Sequence, residues 1–189
     1  GDSISTESMK VKIETVTVFD SIEPVGFSRD GKFAYLAHLD MEGCESGYEC
    51  ASFHFFVHDL TSDAQILDIV LSSDYMDGVI CKKWAEVSKA IEMYGIKIQE
   101  GPMTLHKFPL NEENDLIQVV PPISNVNEMD IETDGIDISL SSRDKGTKKI
   151  GTLGPRYGGP HLPEVLGYIQ SPFEKRIVVV MGYFNRGWE

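Results

Sequence analysis

Apolar and polar residues alternate in short runs through the first part of the chain, which is the pattern of half-buried β-strands. These runs lie at 10–20, 33–39, 52–60 and 64–71. Turn-forming sequences separate them, with Asp30-Gly31 before the second run and Thr61-Ser62-Asp63 before the fourth. The pattern therefore predicts four strands joined as an antiparallel meander.

The period changes at 77–94, where apolar residues recur at spacings of three and four. They are Ile80, Trp84, Val87, Ile91 and Tyr94. This spacing predicts an amphipathic helix that packs its apolar side on one face of the sheet and ends at Gly95. Contact with a partner through the same apolar side is the alternative.

Strand-like patterns return after the helix. Residues 116–120 form the best short strand, and Asp134-Gly135 joins the halves of a hairpin over 129–140. The polar, Gly- and Pro-rich stretch 141–163 is expected to be a loop, followed by a final strand pair at 164–169 and 176–184. The fold class is therefore mainly β, with antiparallel sheets, blade-like hairpins and one packed amphipathic helix. We expect a spacer at 1–9 and a single domain over 10–189.

The charge balance is strongly acidic. Seventeen Lys and Arg residues stand against thirty Asp and Glu residues, for a formal net charge of −13 among 189 residues. Such a surface repels phosphate backbones, so the sequence predicts no nucleic-acid partner. No run of about 18 apolar residues is present, so no transmembrane segment is predicted.

The cysteines and the amino terminus both suggest export. Only five residues separate Cys44 from Cys50, and one of them is Gly47, so a disulfide can form in an oxidising compartment. Cys81 lies on the predicted helix and is expected to be a buried thiol. The polar start fits a spacer left after removal of a signal peptide, with a lipid anchor as a possible tether. The predicted location is periplasmic or secreted.

A short pattern occurs twice, at 26–36 and 167–180, as Gly-aromatic, a Ser-led turn with a Lys, and an apolar run. It resembles the blades of WD40-like propellers of the TolB type, which carry Ser-Pro-Asp-Gly-Lys before a strand. Ser28-Arg29-Asp30-Gly31-Lys32 replaces only the Pro, whereas Ser171-Pro172-Phe173-Glu174-Lys175 keeps Ser, Pro and Lys. A helix and a hairpin lie between the two copies, where a closed ring would need further blades. We therefore interpret the copies as two turn-strand units, one at the start and one at the end of a single domain.

A longer resemblance combines four segments, 26–32, 53–60, 162–168 and Ser171-Pro172. Their order around a central helix is similar to a bacterial family of predicted secreted proteins of unknown function. This resemblance implies export, and it brings no activity and no site residues with it.

Three groups of residues are candidates for metal or ligand binding. Asp130, Glu132 and Asp134 match the first half of a calcium loop, but Ser141 stands where that loop needs a bidentate Glu, and the hairpin explains the same residues. His54 and His58 share a strand face roughly 13 Å apart, too far for one metal ion, and are expected on the wetter face of the sheet. The third group, Arg156, Tyr157 and His161, lies in a Gly- and Pro-rich segment that could contact a ligand or serve as a rigid connection.

No catalytic motif is present, so the sequence assigns no catalytic residue and no cofactor. It favours a non-enzymatic binding or protein-interaction module whose partner is a protein or a small ligand. One alternative is a hydrolase of unknown substrate that uses acidic residues near the 154–163 loop. Another is a calcium-stabilised structural module using Asp130, Glu132 and Asp134.

Overall fold

The computed structural model describes residues 21–40, 51–72, 77–112, 115–121, 135–153 and 161–185. Within these ranges the chain forms antiparallel sheets and one α-helix, which confirms the prediction of a mainly β fold. The chain divides into two compact units. Of the described residues, we call those within 21–103 together with Ser171–Glu174 the first unit, and those within 104–170 and 175–185 the second unit. The single domain over 10–189 stays a prediction.

The first unit contains a five-stranded antiparallel sheet. Its strands are β1 (Ser21–Phe27), β2 (Lys32–Asp40), β3 (Ala51–Asp59), β4 (Ala64–Ser72) and β5 (Lys97–Ile98). Their order is β4-β3-β2-β1-β5, so β1 to β4 form an antiparallel meander and β5 pairs with the far side of β1. β2, β3 and β4 confirm the strands predicted at 33–39, 52–60 and 64–71, whereas β1 was not predicted. The strand predicted at 10–20 lies outside the described residues.

Local polar contacts stabilise the turns of the meander. Ser28 accepts a hydrogen bond from the backbone N–H of Lys32 at 2.8 Å, and its hydroxyl donates to the carboxylate of Asp30. Between β3 and β4, the carboxylate of Asp59 accepts bonds from both the backbone N–H and the hydroxyl of Thr61. These are the Asp and Ser contacts that favour tight turns over continued strand.

The helix α1 (Asp77–Met93) covers one face of this sheet. The buried residues of the shared core come from β2, β3, β4, α1 and the short segment after the helix: Ala34, Phe55, Val57, Ile69, Leu71, Val87, Ala90 and Ile96. Gly95 ends the helix with a positive φ of 65°. The N–H of Gly95 bonds to the carbonyl of Glu92, and the N–H of Ile96 bonds to that of Ile91, as in a Schellman motif. The helix and its predicted end are both confirmed.

The second unit contains two sheets. The first is four-stranded, with the order β6 (Leu110–Glu112), β7 (Asp115–Val120), β8 (Ile136–Ser142) and β9 (Gly146–Leu153). The second pairs β10 (His161–Gln170) with β11 (Ile177–Asn185), close to the predicted final pair. Their buried core combines residues from both sheets: Ile117, Ile138, Leu140, Ile150, Tyr168, Ile177, Val179 and Met181. For the predicted 129–140 hairpin, the half before Gly135 lies outside the described residues.

The loop predicted over 141–163 is wrong, because β9 and the start of β10 fall within it. Among the side chains described on β9, it is Ile150 that is buried in the core and anchors this polar strand. Gly151 fits beside Met181, since a Cβ there would lie only 3.3 Å from the methionine Cε. On β9, Lys149 forms an ion pair with Asp137 of β8 at 3.0 Å. A strand that consists mostly of Gly, Thr and Lys does not show the alternation that sequence patterns detect.

The two segments that resemble each other lie in different sheets, yet each begins with the same local geometry. A β-bulge precedes Gly26 in β1 and Gly167 in β10. A Cβ on Gly26 would lie 2.0 Å from the carbonyl oxygen of Lys97, and one on Gly167 would lie 2.1 Å from that of His106. In both places glycine is required because a neighbouring backbone approaches too closely for any side chain. The family resemblances drawn from these segments stay predictions.

Candidate functional site

Histidine and aromatic residues share one face of the five-stranded sheet, opposite to the face that α1 covers. On β2 and β3 the register pairs Phe33 with His58, Tyr35 with Phe56, and Ala37 with His54. Directly paired residues of antiparallel strands point to the same face. We call this surface the histidine face, defined by Phe33, Tyr35, His54, Phe56, His58 and Asp68.

A buried hydrogen bond joins Tyr35 to His58. The phenol oxygen of Tyr35 and Nε2 of His58 are 3.0 Å apart, and each residue is 2% exposed. Burial, and to a lesser extent the charge of Asp68, raises the pKa of Tyr35 above its ordinary value. The phenol therefore stays protonated at neutral pH, and its bond to His58 holds the two side chains in position.

A second pair lies nearer the surface of the same face. Nδ1 of His54 is 2.9 Å from Oδ1 of Asp68, and the two side chains are 17% and 38% exposed. The imidazole ring stacks on Phe56 at 5.2 Å with an angle of 6° between the planes. The stacking and the carboxylate together fix the orientation of the ring. A histidine ring held in this way is positioned to contact a bound molecule or to accept a proton from it.

The histidine face differs from the sequence prediction in one respect. His54 and His58 do flank Phe56 on one face, but the expectation that both lie on a wet surface is wrong for His58. The sequence does contain a signal for the burial of His58. Aromatic residues at alternate positions of β2, Phe33 and Tyr35, indicate that the sheet face opposite to α1 is also buried. Among the described residues, no group of three or more His, Cys, Asp or Glu side chains could hold a metal ion.

A second aromatic cluster forms around Tyr168 of β10. Its backbone exchanges two hydrogen bonds of 2.8 Å with His106, and its ring stacks on that of His106 at 5.2 Å. Phe108 contacts the same ring at 5.0 Å in a tilted orientation. Burial raises the pKa of Tyr168. The cluster attaches the segment before β6 to the edge of β10, next to the close approach at Gly167.

Three acidic side chains have lowered pKa values, each with a local cause. Hydrogen bonds from Ser28 and Lys32 lower the pKa of Asp30, and those from Thr152 and Lys149 lower the pKa of Asp137. For Asp59, partial burial raises the pKa, but bonds from Thr61 more than offset this effect. These contacts belong to separate turns and strand pairs, so the three carboxylates do not form one reactive centre.

Most residues selected from the sequence lie outside the described part of the chain. This holds for Arg156 and Tyr157, for the calcium candidates Asp130, Glu132 and Asp134, and for Cys44 and Cys50. His161 is the first residue of β10, where its backbone pairs with Asn185. Cys81 lies within α1, as predicted. The ligand, calcium and disulfide assignments stay predictions.

Comparison with known proteins gave no relative: no family model, no curated protein and no solved structure matches the chain. In the described ranges, no helix combines the length and the apolar character that a membrane span requires.

Proposed function

We propose that this chain is a non-enzymatic binding module that recognises a partner protein. The observation that carries the proposal is the position of Trp84 on α1. It belongs to the apolar side of the helix, yet it is 46% exposed, whereas Val87 and Ala90 on the next turns are buried against the sheet. Tryptophan is among the residues that contribute most to binding at protein interfaces.

The distribution of polar groups supports binding over catalysis. Catalytic sites bring several groups with shifted pKa values into one cleft. Here Asp30, Asp59 and Asp137 each form bonds within a turn or strand pair, and Tyr35 is engaged with His58. Each of these contacts has a local structural role.

We further propose that the module acts outside the cytoplasm, in the periplasm or after secretion. The support is the resemblance of four segments to a family of secreted proteins and the short Cys44–Cys50 spacing. Fractionation of cells that express the natural gene would test this part. Recovery of the protein with cytoplasmic markers would contradict it.

The binding proposal is tested by affinity retention from the envelope fraction of the organism that makes the protein. We expect one protein to be retained by the immobilised wild-type chain, and to be lost with Trp84→Ala. Lys89→Ala, an exposed substitution elsewhere on α1, is the matched control and should retain it. Equal retention by both variants would contradict the role of Trp84. Hydrolysis of chromogenic ester, phosphate or glycoside substrates by the pure protein would overturn the non-enzymatic assignment.

A further inference from the structure

Strand β4 is an outer strand of the five-stranded sheet. It is nine residues long and pairs on one side with β3, and no described strand pairs with its other side. A bulge occurs near its start, but residues 67–72 follow a regular register with β3. An outer strand of this length presents a row of backbone N–H and C=O groups that can pair with another strand.

The other outer strands of the two larger sheets carry features that discourage such pairing. β5 has two residues and β6 has three. β9 is longer, but it carries Lys148 directly opposite the buried Leu140, and a bulge at Ile150. Short length, an inward-facing lysine and a bulge are devices by which proteins block edge-to-edge association. The sequence of β4, AQILDIVLS, contains no Lys, Arg or Pro.

The exposed side chains of β4 indicate which chemistry fits beside it. Asp68 and Val70 are two residues apart, so they share one face of the strand. Val70 is 45% exposed, and the side chain of Asp68 remains 38% exposed while its Oδ1 bonds to His54. A strand added next to β4 would place one side chain beside each of them. A basic residue complements Asp68, and an apolar residue covers Val70.

A second copy of this chain fits the same edge poorly. Antiparallel pairing of two β4 strands over their full length would place Asp68 directly opposite the Asp68 of the other copy. Like charges in that position are destabilising. Each copy also carries a net charge of −13, which opposes self-association. A cationic segment of a different protein meets neither obstacle.

We propose that the outer edge of β4 binds an extended segment of the partner protein by strand addition, with a basic side chain beside Asp68 and an apolar one beside Val70. Main-chain pairing supplies the affinity, and the two side-chain positions supply the selectivity. This inference rests on the proposed function, because it describes the partner that the module recognises. The inference specifies which side chains the bound segment carries, but not which protein contains that segment.

The test uses the full chain and a synthetic nine-residue peptide, in which lysine and valine alternate along one face and threonine fills the other. We expect saturable one-to-one binding at physiological salt, with amide NMR shifts concentrated in β4. Two further peptides carry N-methyl groups on the amides of one edge or of the other. Since strand pairing uses one edge of the peptide, one of them should bind like the parent and the other at least about tenfold more weakly.

Two protein variants complete the test. Val70→Lys places a lysine on this outer strand, as Lys148 does on β9, and we expect it to weaken peptide binding about tenfold or more. Gln65→Lys adds the same charge at an exposed position near the start of β4 and should weaken binding less. Melting temperatures establish that both variants are folded.

Each contrary result overturns the inference. These results are absence of peptide binding, equal binding by both methylated peptides, and equal effects of Val70→Lys and Gln65→Lys. A concentration-dependent dimer that Val70→Lys abolishes would assign the edge to a second copy instead. If the partner retained through Trp84 is still retained by Val70→Lys, the edge proposal fails and the binding function stands. If the wild-type chain retains no partner, the binding function itself fails.

Discussion

The guanidinium group of Arg29 lies over the ring of Phe173, 4.8 Å from its centroid. Both residues belong to the first unit. Arg29 stands where the blade-like turn pattern has Pro, and Phe173 stands where it has Asp. Two of the three residues at which these turns depart from the pattern are therefore in contact with each other. A cation–π contact at an exposed site contributes about 0.5–1 kcal/mol.

We expect Arg29 and Phe173 to be energetically coupled. A double-mutant cycle with Arg29→Ala and Phe173→Leu should give a coupling free energy of about 0.5–1 kcal/mol in urea unfolding. Arg29→Lys should keep part of it, because the cation is retained and its planar stacking is lost. Strictly additive effects of the two substitutions would show that the contact does not stabilise the fold.

The close approaches at Gly26 and Gly167 make these positions intolerant of any side chain. Gly26→Ala forces the backbone around Lys97 to move, and Gly167→Ala does the same at His106, so each should cost about 2–3 kcal/mol of unfolding free energy. Gly95 and Gly146 have positive φ but open space around them. Their alanine variants should lose only about 1 kcal/mol, the conformational cost of a left-handed residue.

Urea unfolding of the four variants measures this difference. Each unit then has its own control, Gly95 for Gly26 in the first unit and Gly146 for Gly167 in the second. If Gly26→Ala is no more destabilising than Gly95→Ala, the carbonyl of Lys97 does not approach as closely as described.

The buried phenol of Tyr35 makes stability depend on alkaline pH. Its pKa is raised in the folded state, so the unfolded chain loses this proton first as pH rises through about 10, the ordinary value for tyrosine. The stabilisation is complete below that pH and is lost above it. Unfolding free energies measured between about pH 8 and 11 should therefore fall more steeply for the wild type than for Tyr35→Phe.

The same variant measures the bond to His58. At neutral pH, Tyr35→Phe should lose about 1–3 kcal/mol, because a buried hydrogen bond is removed. Tyr94→Phe, at a half-buried tyrosine directly after α1, is the matched control and should have a smaller effect. Parallel pH profiles for the wild type and Tyr35→Phe would contradict the raised pKa.

The cysteines give a chemical test of the predicted compartment. We expect one reactive thiol per chain under denaturing, non-reducing conditions, from Cys81, with Cys44 and Cys50 joined as a disulfide. A thiol reagent counts them directly. Three thiols in protein isolated from its natural compartment would contradict the disulfide and weaken the proposal of export.

Patterns dominated by burial could be predicted from the sequence, and those dominated by backbone geometry could not. The strands β2 to β4 and the helix with its end at Gly95 follow from alternation, from helical spacing and from one glycine. β9 was missed because Ile150, its buried anchor among the described side chains, stands among Gly, Thr and Lys residues. From its composition, such a strand is predicted to be a loop.

The histidine face was only half predictable for a related reason. A period of two placed His54 and His58 on one side of β3, as observed. It could not show that His58 is buried, since this depends on what covers the second face of the sheet. The bond from His54 to Asp68 joins residues 14 positions apart on different strands, so no local pattern encodes it. The ligand residues Arg156, Tyr157 and His161 stay a prediction from sequence.

The short strand β5 has a dynamic consequence. Gln99 donates a hydrogen bond to the carbonyl of Val25, and two residues earlier the carbonyl of Lys97 lies against Gly26. Ile96 closes the end of α1 only one residue before that point. Fraying of the last turn of α1 would pull β5 away from β1. Conversely, loss of the pairing between β5 and β1 would release the last turn of α1. The two should therefore exchange their amide hydrogens together, as one cooperative opening unit.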